Sequence, residues 1–336
     1  MLEQHARTGS VITERFSDAA VNCLTGSYSR LAAIRGHPVP EQVVFERGDG
    51  FLFQAGLDES GYPEYIFPVQ EAGALGMSRS GFVVHQEPID ESILGTQLAS
   101  LIARFDGVVV WVNTAHLRYA EIYRTNDPYL HAVVVDGVAD NRGSADIIDC
   151  LVVDRTPFAC RARMDLDDLR RAVTDRIRSE AHDGMGFLNV IERPADAPAN
   201  NDLGSMLARQ AERFAAEERF RSAVRRYQEL CEECFDGPPE RAMRAGRRLF
   251  QHSSVLYAVP SLTLMAASLT TAGASPAIFA RHGHVLRNWQ AMGVLGLRFE
   301  ATAALSVRKR IRERFAILDE ATDQLWAAIA AERPGT

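Results

Sequence analysis

At 336 residues, with 46% hydrophobic and 24% charged residues, the chain has the length and composition for a sizeable core and for two domains. Its net charge of −7 argues against nucleic acid as the main partner, because neutralising phosphates needs a basic face, and leaves room for a small or acidic partner on a local basic patch. The start, "MLEQHARTGSVITERF", holds no apolar stretch of signal-peptide length, so a cytoplasmic location and five reduced cysteines are expected.

In chain order, a helix is predicted over 23–35, ended by Gly36 and Pro38, and is followed by the β-rich runs "QVVF", "GFLFQAGL" and "EYIFPV". A second helix is predicted over 91–105, then strands at "GVVVWVN", "HAVVVDGV" and "DIIDCLVV", a helix over 166–182, and a strand at "GFLNVIE". After "RPADAPANNDLG" the pattern changes to long helical periodicity, clearest in "SMLARQAERFAAEERFRSAVRRYQELCEECF". The expected fold class is α+β: a domain over 1–192 with a central antiparallel sheet, a linker over 193–204, and an all-helical domain over 205–336. The uncharged stretch from Leu256 to Ala280 carries Pro260, Gly273 and Pro276, and is expected to form two bundle segments broken near Gly273 rather than a membrane span.

Cys23 is predicted at or near a helix N-terminus, where unpaired N–H groups and the positive end of the helix dipole favour a thiolate. The plainer reading is a small side chain packing the start of that helix. A thiolate nucleophile needs a histidine to shuttle its proton, and usually a third group to orient that histidine. Of nine histidines, His131 opens a strand of a predicted hairpin. With the turn centred between Arg142 and Gly143, paired residue numbers sum to 285, which sets His131 opposite Asp154, at the ~5 Å Cβ spacing of directly opposed residues. In that register the competing Asp149 faces Asp136, roughly 16 Å further along at ~3.3 Å per residue.

Taken together, a cysteine at a helix start, "VPEQVVFERGDGFLF", "VVVWVNTAHLRYAEIY", "HAVVVDGV", and "VVDRTP" followed by "LDDLRRAV" resemble the N-terminal domain of the butirosin biosynthesis protein H family. The likeness covers about residues 15 to 185, and the helical half resembles the region that accompanies this domain. The resemblance implies a papain-like fold, similar to the C39 peptidases, and a Cys-His-Asp site for acyl transfer. It implies Cys23 as nucleophile, His131 as general base and Asp154 as orienting carboxylate. It also implies an acyl or peptidyl carrier protein as partner, with the substrate on a phosphopantetheine arm, a small-molecule acceptor, and no other cofactor or metal. No glutamine precedes Cys23 to complete an oxyanion hole, so the Cys23 N–H is the expected donor and the second is left open.

The function expected is a cysteine acyltransferase of secondary metabolism, with a cyclase as close variant. The alternatives are a thioester or amide hydrolase on the same triad and a catalytically silent carrier-binding module. "CEEC", Cys231 and Cys234, lies inside a helical pattern without a second ligand pair at zinc spacing; "HGH", His282 and His284, supplies one only where tertiary structure brings it close, and no metal is expected. The basic runs "RAMRAGRR" and "RKRIRER" read as solvated helix faces, or as docking for an acidic carrier. Trp111, His116 and Tyr119 flank a central strand as candidate pocket residues, with core packing the plainer role for Trp111.

Overall fold

In a computed structural model of the chain, the described residues are 10–58, 60–69, 71–125, 128–139, 143–154, 156–177, 186–197 and 204–332. The elements run β1 (Val11–Phe16), α1 (Cys23–Ile34), α2 (Glu41–Arg47), β2 (Gln54–Leu57), β3 (Pro63–Ile66), α3 (Gly76–Ser78) and β4 (Val83–Pro88). There follow α4 (Leu94–Phe105), β5 (Val108–Asn113), α5 (Glu121–Thr125), β6 (Leu130–Val138), β7 (Ser144–Val152), β8 (Phe158–Asp165), α6 (Leu166–Thr174) and β9 (Phe187–Glu192). The remainder is helical: α7 (Gly204–Ala216), α8 (Glu218–Arg221), α9 (Ala223–Phe235), α10 (Pro239–Phe250), α11 (Ala258–Thr271), α12 (Pro276–Thr302) and α13 (Leu305–Ala331).

The chain is α+β and divides into two compact units. The first takes the residues up to Glu41, then 82–177 and the segment ending at Ala197. Its centre is a seven-stranded sheet of order β1-β8-β7-β6-β5-β9-β4, antiparallel at every pairing. All six residues of β5 are buried, so its near-continuous Val run is what a strand covered on both faces requires. On one face Val108, Val110, Val112, Val133 and Val135 pack with Leu94 and Leu98 of α4 and Leu169 and Val173 of α6. On the other face lies α1, whose Leu31 meets Val134 over Gly107 and whose Ser27 hydroxyl donates to the Ala132 carbonyl at 3.3 Å.

The second unit takes 42–81 together with the helices from α7 onward. The β2–β3 hairpin pairs Gln54 with Ile66 through Leu57 with Pro63. Tyr65 of that hairpin stacks 5.3 Å from Tyr227 and 4.7 Å from Trp289, which ties the hairpin into the helical core. Helices α10 and α12 cross where a Cβ on Gly296 would stand 2.8 Å from the Gly246 carbonyl oxygen. Counted through the π-helical turn joining α10 to α11, Pro239–Thr271 is the one helical run among the described residues long and apolar enough by composition to cross a membrane; 39% of its apolar window is buried.

Several expectations need correction. The first unit ends at Ala197, inside the predicted linker 193–204, but the predicted domain over 1–192 loses 42–81, which groups with the helices. "QVVF" is helical: it lies in α2, where Phe45 sits 5.3 Å from Phe51 and 4.8 Å from Phe67, and that packing overrides the strand preference of its valines. The long helical run after 205 breaks at Glu217 and Ser222 into three helices. Strands β1, β4 and β8 were not anticipated. The first and second are exposed sheet edges, and in β8 Arg161 and Arg163 interrupt the apolar run by turning out to Asp136 and Asp146. The break near Gly273 is present, with a left-handed φ of +67° between α11 and α12. Part of the predicted 193–204 linker and the end of the predicted 166–182 helix lie outside the described residues; α6 ends at Thr174.

Candidate active site

Cys23 is the first residue of α1, and Asn22 caps that helix. Asn22 Oδ1 accepts from the N–H groups of Leu24 at 3.0 Å and Thr25 at 3.2 Å, while the Gly26 N–H donates to the Asn22 carbonyl at 2.9 Å. The Cys23 N–H is therefore left without an acceptor among the described residues. Behind the cap, the half-buried Glu41 carboxylate accepts from the Val21 N–H at 2.9 Å, the Asn22 N–H at 2.7 Å and the Thr25 hydroxyl at 3.2 Å. Burial raises the Glu41 pKa against those three hydrogen bonds. Among the five free thiols Cys23 alone is partly exposed; the other four are buried, and burial pushes those of Cys150 and Cys160 up to about 12.

His131 enters from the start of β6, opposite Val112 of β5, with 1% of its surface exposed. Its ring shares a side-chain hydrogen bond with Cys23, and its Nε2–H donates to Asp149 Oδ1 at 2.8 Å. Asp149, fully buried, is the acceptor of four groups. The hydroxyls of Tyr119 and Tyr123 donate to its Oδ2 at 2.7 and 2.6 Å, and the Leu151 N–H donates to Oδ1 at 3.0 Å. That last bond falls where the β7–β8 register shifts between Asp149 and Val152, so the irregularity frees a backbone donor for the carboxylate. Tyr119 lies in the turn before α5 and Tyr123 within that helix, and both hydroxyls converge on Asp149 Oδ2.

The electrostatics follow from burial against charge. Burial alone pushes the His131 pKa down, but the charges of Asp149 and of the Cys23 sulfur, with the hydrogen bonds to both, raise it to about 10. Asp149 shows the mirror image: burial raises it, and the His131 charge and the His131, Tyr123 and Tyr119 hydrogen bonds carry it below the ordinary carboxylate value. Both tyrosine hydroxyls go well above 10, chiefly by burial and then by the Asp149 charge, so they act as donors at neutral pH.

Of the three predicted site residues, the structure brings Cys23 and His131 together and leaves Asp154 out. Asp154 is exposed in the bend after β7, where its N–H donates to the Val152 carbonyl at 3.0 Å. The register explains the difference. Near the turn the pairs Val138–Ala145 and Gly137–Asp146 sum to 283, and past a bulge at Asp136 the pairs Val135–Ile147 and Val134–Ile148 sum to 282. A sum of 282 in place of 285 flips the facing parity, which sets Asp149 opposite Val133 on the His131 face, one diagonal step from the imidazole. Tyr119, one of the candidate pocket residues, does reach Asp149; Tyr123, four residues on, was the missed signal, and Glu41, first residue of α2 after two prolines, had none. Trp111 is buried in β5, as its plainer reading had it. His116 bonds Asp175 Oδ2 at 2.8 Å, and Asn113 Nδ2 donates to the same oxygen at 3.1 Å.

A partly exposed thiol at a helix start, a buried imidazole that keeps its proton and a carboxylate held by four donors can together run nucleophilic catalysis on an acyl group. No protein-family model and no curated protein matches the chain.

Proposed function

We propose that the chain is a cysteine acyltransferase with a papain-like, C39-like first unit, acting in the cytoplasm on an acyl group carried as a pantetheine thioester by an acyl or peptidyl carrier protein. The observation that carries the reading is the continuous line Cys23–His131–Asp149, in which the histidine is shared between a thiol at a helix N-terminus and a buried carboxylate. The first half of the chain also joins a helix-start cysteine to an antiparallel sheet bearing the histidine, which is the arrangement such a fold requires.

In this mechanism the Cys23 sulfur attacks the thioester carbonyl while its proton resides on His131. The resulting oxyanion accepts from the Cys23 N–H. Collapse expels the pantetheine thiolate, which takes the His131 proton, and Cys23 is left as the S-acyl enzyme. An amine or hydroxyl acceptor then gives its proton to His131 as it attacks that carbonyl, and breakdown returns the proton to the Cys23 sulfur. Asp149 orients the ring and balances its charge, the role first expected of Asp154. An acceptor within the acyl chain makes the product a ring, and water makes it a free acid.

The experiment is intact-protein mass after incubation with an acyl-pantetheine. One acyl group is expected on the wild-type chain and none on Cys23→Ala, with His131→Ala slowing acylation at least ~100-fold, the lower range for loss of a general base. An acyl-transfer rate unchanged by Cys23→Ala overturns covalent catalysis. Rapid discharge of the adduct in buffer alone assigns the protein to the hydrolases, and absence of any adduct leaves the carrier-binding module as the reading.

A further inference from the structure

Six consecutive backbone N–H groups run through the start of α1, and five of them have acceptors. The Ala20 N–H donates to the Cys150 carbonyl at 2.8 Å, those of Val21 and Asn22 to the Glu41 carboxylate, and those of Leu24 and Thr25 to the Asn22 side chain. Among the described residues the Cys23 N–H alone is left over. Its direction is set by the peptide it belongs to. The carbonyl of the Asn22–Cys23 peptide accepts from the Gly26 N–H at 2.9 Å, along α1. In a planar trans peptide the N–H points the opposite way, out of the helix start.

Glu41 reaches this turn on a stiff arm. Pro38 and Pro40 fix two of the φ angles that precede it. The His37 N–H donates to the Ala32 carbonyl at 2.9 Å and the Ser29 hydroxyl to the Val39 carbonyl at 2.6 Å, which ties the arm to α1. Both carboxylate oxygens are then used: Oε2 takes the Val21 N–H, and Oε1 takes the Asn22 N–H and the Thr25 hydroxyl. Activation of the thiol does not account for this arrangement, because a carboxylate beside the helix start repels a second anion there. What the three bonds fix is the backbone on either side of Cys23.

We propose that Glu41 is a positioning residue for the oxyanion site, holding the turn 21–25 so that the Cys23 N–H meets the carbonyl oxygen as it takes up negative charge. A donor already aimed where the charge develops needs no reorganisation during the reaction, which is why such donors weigh heavily in the rate. This role rests on the acyl-transfer reading and names what aims its oxyanion donor.

The test separates a reaction that makes an oxyanion from one that does not. With p-nitrophenyl acetate the Cys23 sulfur attacks a carbonyl, the acetyl group stays on sulfur and p-nitrophenolate leaves. With iodoacetamide the sulfur displaces iodide at a saturated carbon, and no oxyanion forms. In both the thiol proton resides on His131. Intact-protein mass follows each adduct over time, with Cys23→Ala as the blank. Glu41→Gln sets an amide NH2 against a backbone or hydroxyl donor whichever way the amide turns. Its acetylation rate should fall about tenfold or more, toward the ~10²–10³ lost with a whole oxyanion donor. Its alkylation rate should hold or rise, since one negative charge fewer at a helix N-terminus favours an anion there. Thr25→Val removes one of the three donors and keeps the carboxylate charge, so the ratio of acetylation to alkylation should fall by a smaller factor. Thr25→Val carries the test if Glu41→Gln loses its circular dichroism. Acetylation and alkylation that fall together, or an unchanged ratio in the folded variants, overturns the positioning role. A wild-type Cys23 that the ester does not acetylate overturns it together with the oxyanion site. Acetylation by the ester that depends on Glu41, without any transfer from an acyl-pantetheine, sinks the carrier-thioester reading and leaves the role of Glu41 standing.

Discussion

Asp149 is the residue on which the candidate site turns, because its charge, ahead of that of the Cys23 sulfur, lets a buried histidine keep its proton at neutral pH. Remove its charge and burial is opposed by the Cys23 side chain alone. In Asp149→Asn the His131 pKa is therefore expected to drop from about 10 toward the ordinary ~6.5, as read from the imidazole proton shifts in an NMR titration. The same shift sets the sign of a stability change. A raised histidine pKa contributes stability that is whole below the unfolded value near 6.5 and disappears as pH rises through about 10. The urea midpoint of the wild-type chain should accordingly fall between pH 7 and pH 10.5, and that of Asp149→Asn should fall less. At pH 7 the substitution should itself cost about 3 kcal/mol, the low end for breaking a buried ion pair, since the ring can shed its proton. A His131 that titrates near 6.5 in both chains would remove Asp149 from the site.

At the scale of the elements, the strands that carry the chemistry were legible and their register was not. Both strands of the β6–β7 hairpin hold short runs of Val and Ile bounded by turn residues, which mark buried strands, so His131 at the strand start could be read directly. The partner of His131 depended on the turn centre and on one bulge at Asp136, and composition encodes neither; two small shifts summing to three residues exchanged Asp154 for Asp149. Helix α1 was legible to within a residue because Asn22 caps it and Gly36 follows its end. The glycines of α10 and α12 were opaque for the opposite reason. Inside a helix glycine reads as a weak point, yet Gly246 and Gly296 are where the two helices come close enough that a side chain on either meets backbone. Gly296→Val is predicted to destabilise the chain by about 1–3 kcal/mol, the range for forcing bulk into a packed contact, seen as a lower urea midpoint. A midpoint that holds or rises would mean the helices part at no cost.

For the whole molecule, the unit boundaries depart most from the linear reading, since the second unit draws 42–81 out of the first half of the sequence. The change of texture after 192 marks where the long helices begin, and it gives no hint that a hairpin upstream has joined them. Phe45, Phe51 and Phe67 are each buried, and their neighbours include one another and the helices: the Phe51 N–H donates to Gln210 Oε1 at 3.2 Å, and Gln210 Nε2 donates to the Glu46 carbonyl at 2.8 Å. This interleaving bears on the order in which the protein is made. When residue 81 leaves the ribosome, α7 is still about 120 residues away, some 6–25 s at the usual rates of synthesis. For that interval the aromatic residues of 42–81 lack the helices from α7 onward to pack against, while the sheet of the first unit can already be completed by the strands within 82–192. A nascent chain of this design is a client for chaperones at one defined stage, and a fragment ending at 197 stays at that stage permanently. Expressed alone, residues 1–197 should bind a hydrophobic dye and sediment as aggregates, whereas the same fragment with 42–81 replaced by a short Gly/Ser loop should be soluble and keep the sheet's circular dichroism; equal solubility of the two would show that 42–81 needs no helices to stay folded.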